Sequence, residues 1–342
     1  MIRRILWGVG FLVIAVALWN GPLILYGINQ GIGQLSIVWN ARPVEEFMAD
    51  PTFPDSLKNR LEIIDEVRRF AIDSLNLQDT ENYKTLFDQK GKEVMWVVMA
   101  SEPFQLKSKE WKFPIIGSVP YKGFFNEEKA IEEAQKLKEE GWDVSVRNPG
   151  GWSTLGWFTD PILSKMLERS EGDLASLIIH EMVHATLFIK DSVTFNENLA
   201  SFIADTAAYD FLRWKYGMDS KEYKQYWNEN EDYRKYSSFV LQAANQLDQV
   251  YTSFAEDESV DQKRMKKEQF IQQIVNAMDT LQLVITPNPS QRFKTQLPNN
   301  TFFMSYRQYQ SKQTIFKEEL DTRFSGDLKA YITFLTAKYP SL

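Results

Sequence analysis

The chain has 342 residues, with 39 basic and 46 acidic side chains for a formal charge of −7, and it is 44% hydrophobic and 25% charged. That is globular composition with ample material for a core, and its acidic balance argues against nucleic acid as the main partner, because phosphate binding needs clustered positive charge. Cysteine is absent and histidine occurs twice. Disulfides, thiolate metal sites, iron–sulfur clusters and cysteine nucleophiles are therefore excluded, and any imidazole chemistry rests on His180 and His184.

Arg3 and Arg4 precede a stretch without charge that runs from Ile5 through Ala41. Ile5 to Trp19 is fifteen consecutive apolar or glycine residues, Asn20, Gly21 and Pro22 interrupt it, and Leu23 to Ile28 resume it. Fifteen residues at about 1.5 Å each fall short of a roughly 30 Å hydrocarbon core, but with the second run the segment spans. Residues 1–41 are thus expected to be an N-terminal transmembrane anchor. The alternatives are a signal segment cleaved near Ala15-Val-Ala17 and a buried core helix. Either of the first two exports residues 42–342, since Arg3 and Arg4 stay cytoplasmic.

Pro43 and the prolines at 51 and 54 lead into a helix predicted over Ser56–Leu75, with Leu61, Ile64, Val67, Ala71 and Leu75 at helical spacing. Val94 to Ala100 reads as a buried strand, Phe113 to Tyr121 as an irregular strand-loop, and Asn126 to Gly141 as a helix ending at glycine. Trp142 to Val146 alternates like a strand, and Ser153 to Phe158 is a short candidate edge strand for an extended substrate. From Asp160 onward the sequence is mostly helical, over Leu174–Lys190, Phe195–Tyr216, Lys221–Phe254 and Asp261–Leu283. The charged run from Glu256 to Glu268 reads as a solvated helix end or loop. Early strands and late helices make the class α+β, predominantly helical.

His180-Glu-Met-Val-His184 is an HExxH motif inside one of these helices. Residues four apart share a helix face, so both imidazoles reach one metal ion, while Glu181 is offset to contact a water beside it. Two histidines placed at random adopt this spacing in about 0.6% of chains this long, and a glutamate after the first lowers that to about 1 in 2,000. Zinc then wants a third protein ligand. Glu197, thirteen residues on, supplies it in this reading, although Thr194-Phe-Asn-Glu197 is also a capping box. Asp205, eight residues further, is a rival ligand or a supporting partner.

Several blocks stand in a recognisable order: Ala41-Arg-Pro-Val-Glu-Glu46, Phe113-Pro114, Gly117-Ser-Val-Pro-Tyr-Lys-Gly123, Ser153-Thr-Leu-Gly-Trp-Phe158 with Asp160-Pro161, His180–His184, Phe195-Asn-Glu197, and Asn299-Asn300 with Ser305 and Tyr309. In this it resembles the bacterial family of predicted aminopeptidases, zincin-like metallopeptidases of the gluzincin kind. The resemblance implies one zinc ion on His180, His184 and Glu197, Glu181 as general base and a peptide substrate; the export argued from Arg3 and Arg4 puts the catalytic domain on the periplasmic side in a bacterium. Members of that family often carry a cysteine pair where this chain has Lys112 and Ser118, so that staple is missing here.

With no third histidine, the oxyanion donor has to be another group, and Tyr309 is the choice because it lies in the C-terminal block; Tyr306 and Arg307 compete. An aminopeptidase also anchors the substrate amine, and Asp160 and Glu102 follow the strands best placed to line a cleft. A zinc endopeptidase and a non-hydrolytic membrane-tethered scaffold are the alternative functions. Against the scaffold stands Glu181, which such a protein has no need to keep as a base.

Overall fold

The computed structural model describes residues 21–113, 117–149, 159–190, 192–310 and 312–339. Ile5 to Trp19 and the proposed edge strand Ser153–Phe158 lie outside them. The chain opens with α1 (Gly21–Asn40), β1 (Arg42–Pro43), α2 (Val44–Ala49) and α3 (Asp55–Leu75). Seven short strands follow, β2 (Thr85–Phe87), β3 (Trp96–Ser101), β4 (Trp111–Phe113), β5 (Gly117–Val119), β6 (Lys122–Phe124), β7 (Asp143–Arg147) and β8 (Ile162–Leu163), with α4 (Glu127–Glu139) between β6 and β7. After β8 come only helices: α5 (Glu171–Thr186), α6 (Val193–Tyr216), α7 (Lys221–Thr252), α8 (Val260–Met278), α9 (Asn300–Gln310), α10 (Gln313–Phe324) and α11 (Leu328–Lys338), with short 3-10 turns at Ser164–Glu168 and Pro289–Phe293. The α+β order and the helical majority agree with the sequence pattern. Among the described residues no helix is long and apolar enough to cross a membrane.

β3 is the central strand of an antiparallel sheet, flanked by β6 and β7, with Val97 opposite both Gly123 and Arg147. Its apolar run is nearly continuous because both faces are covered. Val98 and Ala100 pack with Ala130, Ala134 and Leu137 of α4, and α9 lies against β3 and β7. In a second sheet, β2 pairs with β1 and runs parallel to β8, which leads into α5. β4 and β5 form a separate hairpin whose register sets Lys112 directly opposite Ser118.

The main core joins α3, α5, α6, α10 and α11, and a second joins α7, α8 and α9. Lys267 of α8 is one exception to the solvated reading of the 256–268 run: it is buried, donates to the Pro103 carbonyl and pairs with Asp143 of β7. Burial lowers the pKa of its ammonium, against the pull of Asp143.

α5 has no single apolar stripe, since α3, α6 and α7 all pack on it. Ile178, Ile179, Met182 and Val183 are fully or almost fully buried, each contributing about 1.5–3 kcal/mol. Gly172 lets α7 approach. A Cβ there would lie 2.3 Å from the ring carbon Cγ of Tyr226.

Candidate metal centre

α5 starts at Ser170, whose hydroxyl caps the Asp173 amide, and ends at Thr186, which bonds the Met182 carbonyl and receives the Gln78 amide. A helix fixed at both ends and on three sides holds its histidines in a set direction. Nε2 of His180 and Nε2 of His184 stand 3.0 Å apart, with the rings edge to face. His184 also packs against the edge of Phe188, and its Nδ1 is buried without a hydrogen-bond partner among the described groups.

Glu197 comes from α6 and completes the cluster. Its carboxylate oxygens lie 3.3 Å from Nε2 of His180 and 3.6 Å from Nε2 of His184. The capping alternative fails here. α6 begins at Val193, so Thr194 is already inside the helix, and the N-cap Ser192 makes no side-chain cap bond. The two neighbouring asparagines fix Glu197 instead. Asn196 accepts from the Ile189 amide and donates to the Ile189 carbonyl, closing the α5–α6 turn. Asn198 accepts from the Lys312 amide at the start of α10.

Ligand atoms of His180, His184 and Glu197 all fall within 4.8 Å of one another. Four-coordinate zinc with bonds of about 2.0–2.1 Å separates its donors by about 3.3 Å, close to the spacings seen. Two imidazole lone pairs facing one another beside a carboxylate repel unless a proton or a cation stands between them. The residues present fit a metal ion. Burial opposes the charge on Glu197, but its contacts with His180 and His184 outweigh it and hold the carboxyl far below its ordinary range.

Glu181, one residue past the first histidine, is 8% exposed. Two tyrosines that the sequence reading did not single out share its surroundings. Burial, with the charges of Glu197 and Glu181, pushes the Tyr121 phenol up to about 12. Tyr83 is fully buried and raised by burial and by the charges of Glu181 and Asp160. Neither had a motif to announce it, although Tyr121 sits in the Gly117–Gly123 block.

Asp205 is not a ligand. Its carboxylate accepts from Ser176 of α5 at 2.9 Å and from the Tyr226 hydroxyl of α7 at 3.2 Å, tying three helices together. Burial raises its pKa, while His180 is close enough to pull it down. Tyr306 and Arg307 are engaged elsewhere on α9, Tyr306 against Tyr233 and Tyr236, and Arg307 in an ion pair with Asp248. Tyr309 lies on the same helix, and its side chain is outside what is described. Asp160 has no exposed surface and Glu102 bonds through its backbone to Asn300 and Lys107. A carboxylate sealed from solvent cannot meet a substrate amine, so Asp160 loses that role.

No curated protein and no solved structure matches the chain. A family model described as "Putative aminopeptidase" does match, over residues 25–337. The match takes in α5 and α6, the histidines and carboxylates they carry, and almost every other described element, and on that extent the chain belongs to this family.

Proposed function

We propose that the protein is a zinc-dependent peptidase of zincin-like, gluzincin type, acting as an aminopeptidase, with one metal ion on His180, His184 and Glu197. The convergence of these three side chains beside Glu181, on two helices locked by Asn196 and Asn198, carries the reading. Bound zinc supplies Lewis acidity toward the scissile carbonyl and makes a water more acidic. The chain's own residues do the rest. Glu181 accepts the proton of the attacking water and passes it to the leaving amine nitrogen. A tyrosine hydroxyl donates to the oxyanion that develops. Tyr121 is favoured for this because its phenol feels both Glu197 and Glu181, and Tyr309 is retained as the second candidate. Within residues 1–41 the uncharged stretch before α1 acts as the membrane segment, and residues 42–342, with α1 docked on them, act as the peptidase domain outside the cytoplasm.

The test uses the full chain. Metal content and cleavage of a peptide library are compared for the native protein, Glu181→Gln, Glu197→Gln and His180→Ala. Glu181→Gln is expected to keep one metal ion and lose cleavage, while the other two lose the ion. Cleavage by Glu181→Gln at the native rate, or a full complement of metal in His180→Ala, overturns the assignment. Acetylating the N-terminus of a good substrate should abolish cleavage, and equal cleavage of both forms makes the enzyme an endopeptidase.

A further inference from the structure

We infer that the exposed face of α1 lies along a lipid bilayer, so that this helix fixes the peptidase body against the membrane surface as well as linking it to residues 1–20. One side of α1 is fastened to the body. The Tyr26 hydroxyl and the Gln30 carboxamide both donate to the Gly123 carbonyl, at 2.9 and 3.0 Å, and Ile37 is buried in the main core. Gly33 allows the approach, since a Cβ there would come 2.2 Å from the ring of Phe125.

The other side carries Ile24, Leu25, Ile28, Ile32, Leu35 and Trp39, between 45% and 85% exposed. At about 100° per residue these six fall within an arc of about 100°, opposite Tyr26, Gln30 and Ile37, and from Ile24 to Trp39 the stripe is about 22 Å long. A contiguous apolar surface of that extent marks a partner.

Charge selects the partner. From Ile5 through Ala41 there is no charged residue, so α1 has none on any face. A coiled-coil stripe leaves its flanks in water, and those flanks carry the charges that set the pairing. α1 offers nothing of the kind. The fifteen uncharged residues of Ile5 to Trp19 lead straight into it, and its last turn places Trp39 three residues before Arg42, an aromatic and a cation of the kind that settle at headgroup level. The inference rests on the membrane reading of residues 1–41, but it concerns a helix that does not itself cross.

The absence of cysteine makes the test clean. Single-cysteine variants Leu12→Cys, Ile28→Cys, Ile32→Cys and, as an exposed reference at the start of α7, Lys221→Cys are spin-labelled in the full chain. The labelled proteins are reconstituted into vesicles of phosphatidylcholine and phosphatidylglycerol, and collision rates with oxygen and with a water-soluble nickel chelate are measured. At Ile28 and Ile32 a several-fold loss of nickel access relative to Lys221, with oxygen access retained, is expected. Nickel access equal to that at Lys221 overturns the inference. So does spin–spin broadening at Ile28 or Ile32 that vanishes on dilution with unlabelled protein, which makes the partner a second copy. Leu12 reports separately. Lipid contact at Leu12 with water at Ile28 and Ile32 keeps the anchor and rejects the surface contact, while water at Leu12 with lipid at Ile28 and Ile32 rejects the anchor and keeps the contact.

Discussion

In the proposed mechanism Tyr121 and Tyr309 are rival oxyanion donors, and one substitution at each separates them. Tyr121→Phe is expected to lower kcat by about 10²–10³ with KM and metal content unchanged, whereas Tyr309→Phe leaves kcat near the native value. Steady-state kinetics with metal analysis reads both, and the reverse pattern returns the role to Tyr309. Asp205 makes a prediction of a different kind. Burial raises its pKa above the ordinary 3.8, so the folded state favours its neutral form. The stability this contributes is complete below that value and is lost as pH rises through the higher folded value. The substitution Asp205→Asn keeps an acceptor for Ser176 or Tyr226 without the titration. In metal-free protein, the stability of Asp205→Asn minus that of the native chain should therefore grow from pH 4 to pH 7, read from urea midpoints. A difference that is flat or falls with pH contradicts the burial of a charge at this site.

The β4–β5 hairpin shows what element-level reading gained from the structure. Lys112 and Ser118, the positions at which the family resemblance implies a cysteine pair, are register partners. Opposed residues of an antiparallel pair have Cα atoms about 4.5–5.5 Å apart, inside the range a disulfide accepts. The double variant Lys112→Cys with Ser118→Cys should close on mild oxidation, leave no titratable thiol, and raise stability by about 2 kcal/mol for so short a loop. Persistent free thiols after oxidation would contradict the register. Other elements were legible earlier. α3 and α5 announced themselves by apolar spacing, α4 by its charged faces and the glycine after it, and β3 by a compact apolar run. His180, Glu181 and His184 were legible because one motif at one helix period carries them, and Glu197 because the next helix offers it thirteen residues on. Tyr121 was not, because it feels Glu197 and Glu181 across more than fifty positions of sequence, and no local period encodes that. Asp205 could be read only as a rival ligand or a supporting partner, and the choice between them waits on Ser176 and Tyr226, partners set by the crossing of three helices.

At the scale of the whole molecule, a metal that binds only the folded chain is a source of stability. At zinc concentrations a thousand times the dissociation constant the gain is about 4 kcal/mol, and for a chain this long that raises Tm by about 5 °C. Calorimetry with and without chelator should show such a shift in the native chain and in Glu181→Gln, and none in Glu197→Gln. A native chain indifferent to chelation would deny the metal a place in the fold. The sequence pattern conveyed the order of strands and helices over most of the chain, but not the long-range ties that hold Glu197. Asn198 joins α6 to the start of α10, 114 positions further along the chain. During synthesis both histidines emerge well before that partner exists. A chain without α10 has both imidazoles but lacks the tie that Asn198 makes next to Glu197, and on the proposed function it would hold a metal less well. On the proposed function, the site would then be completed only after α10 has been made and has docked on α6.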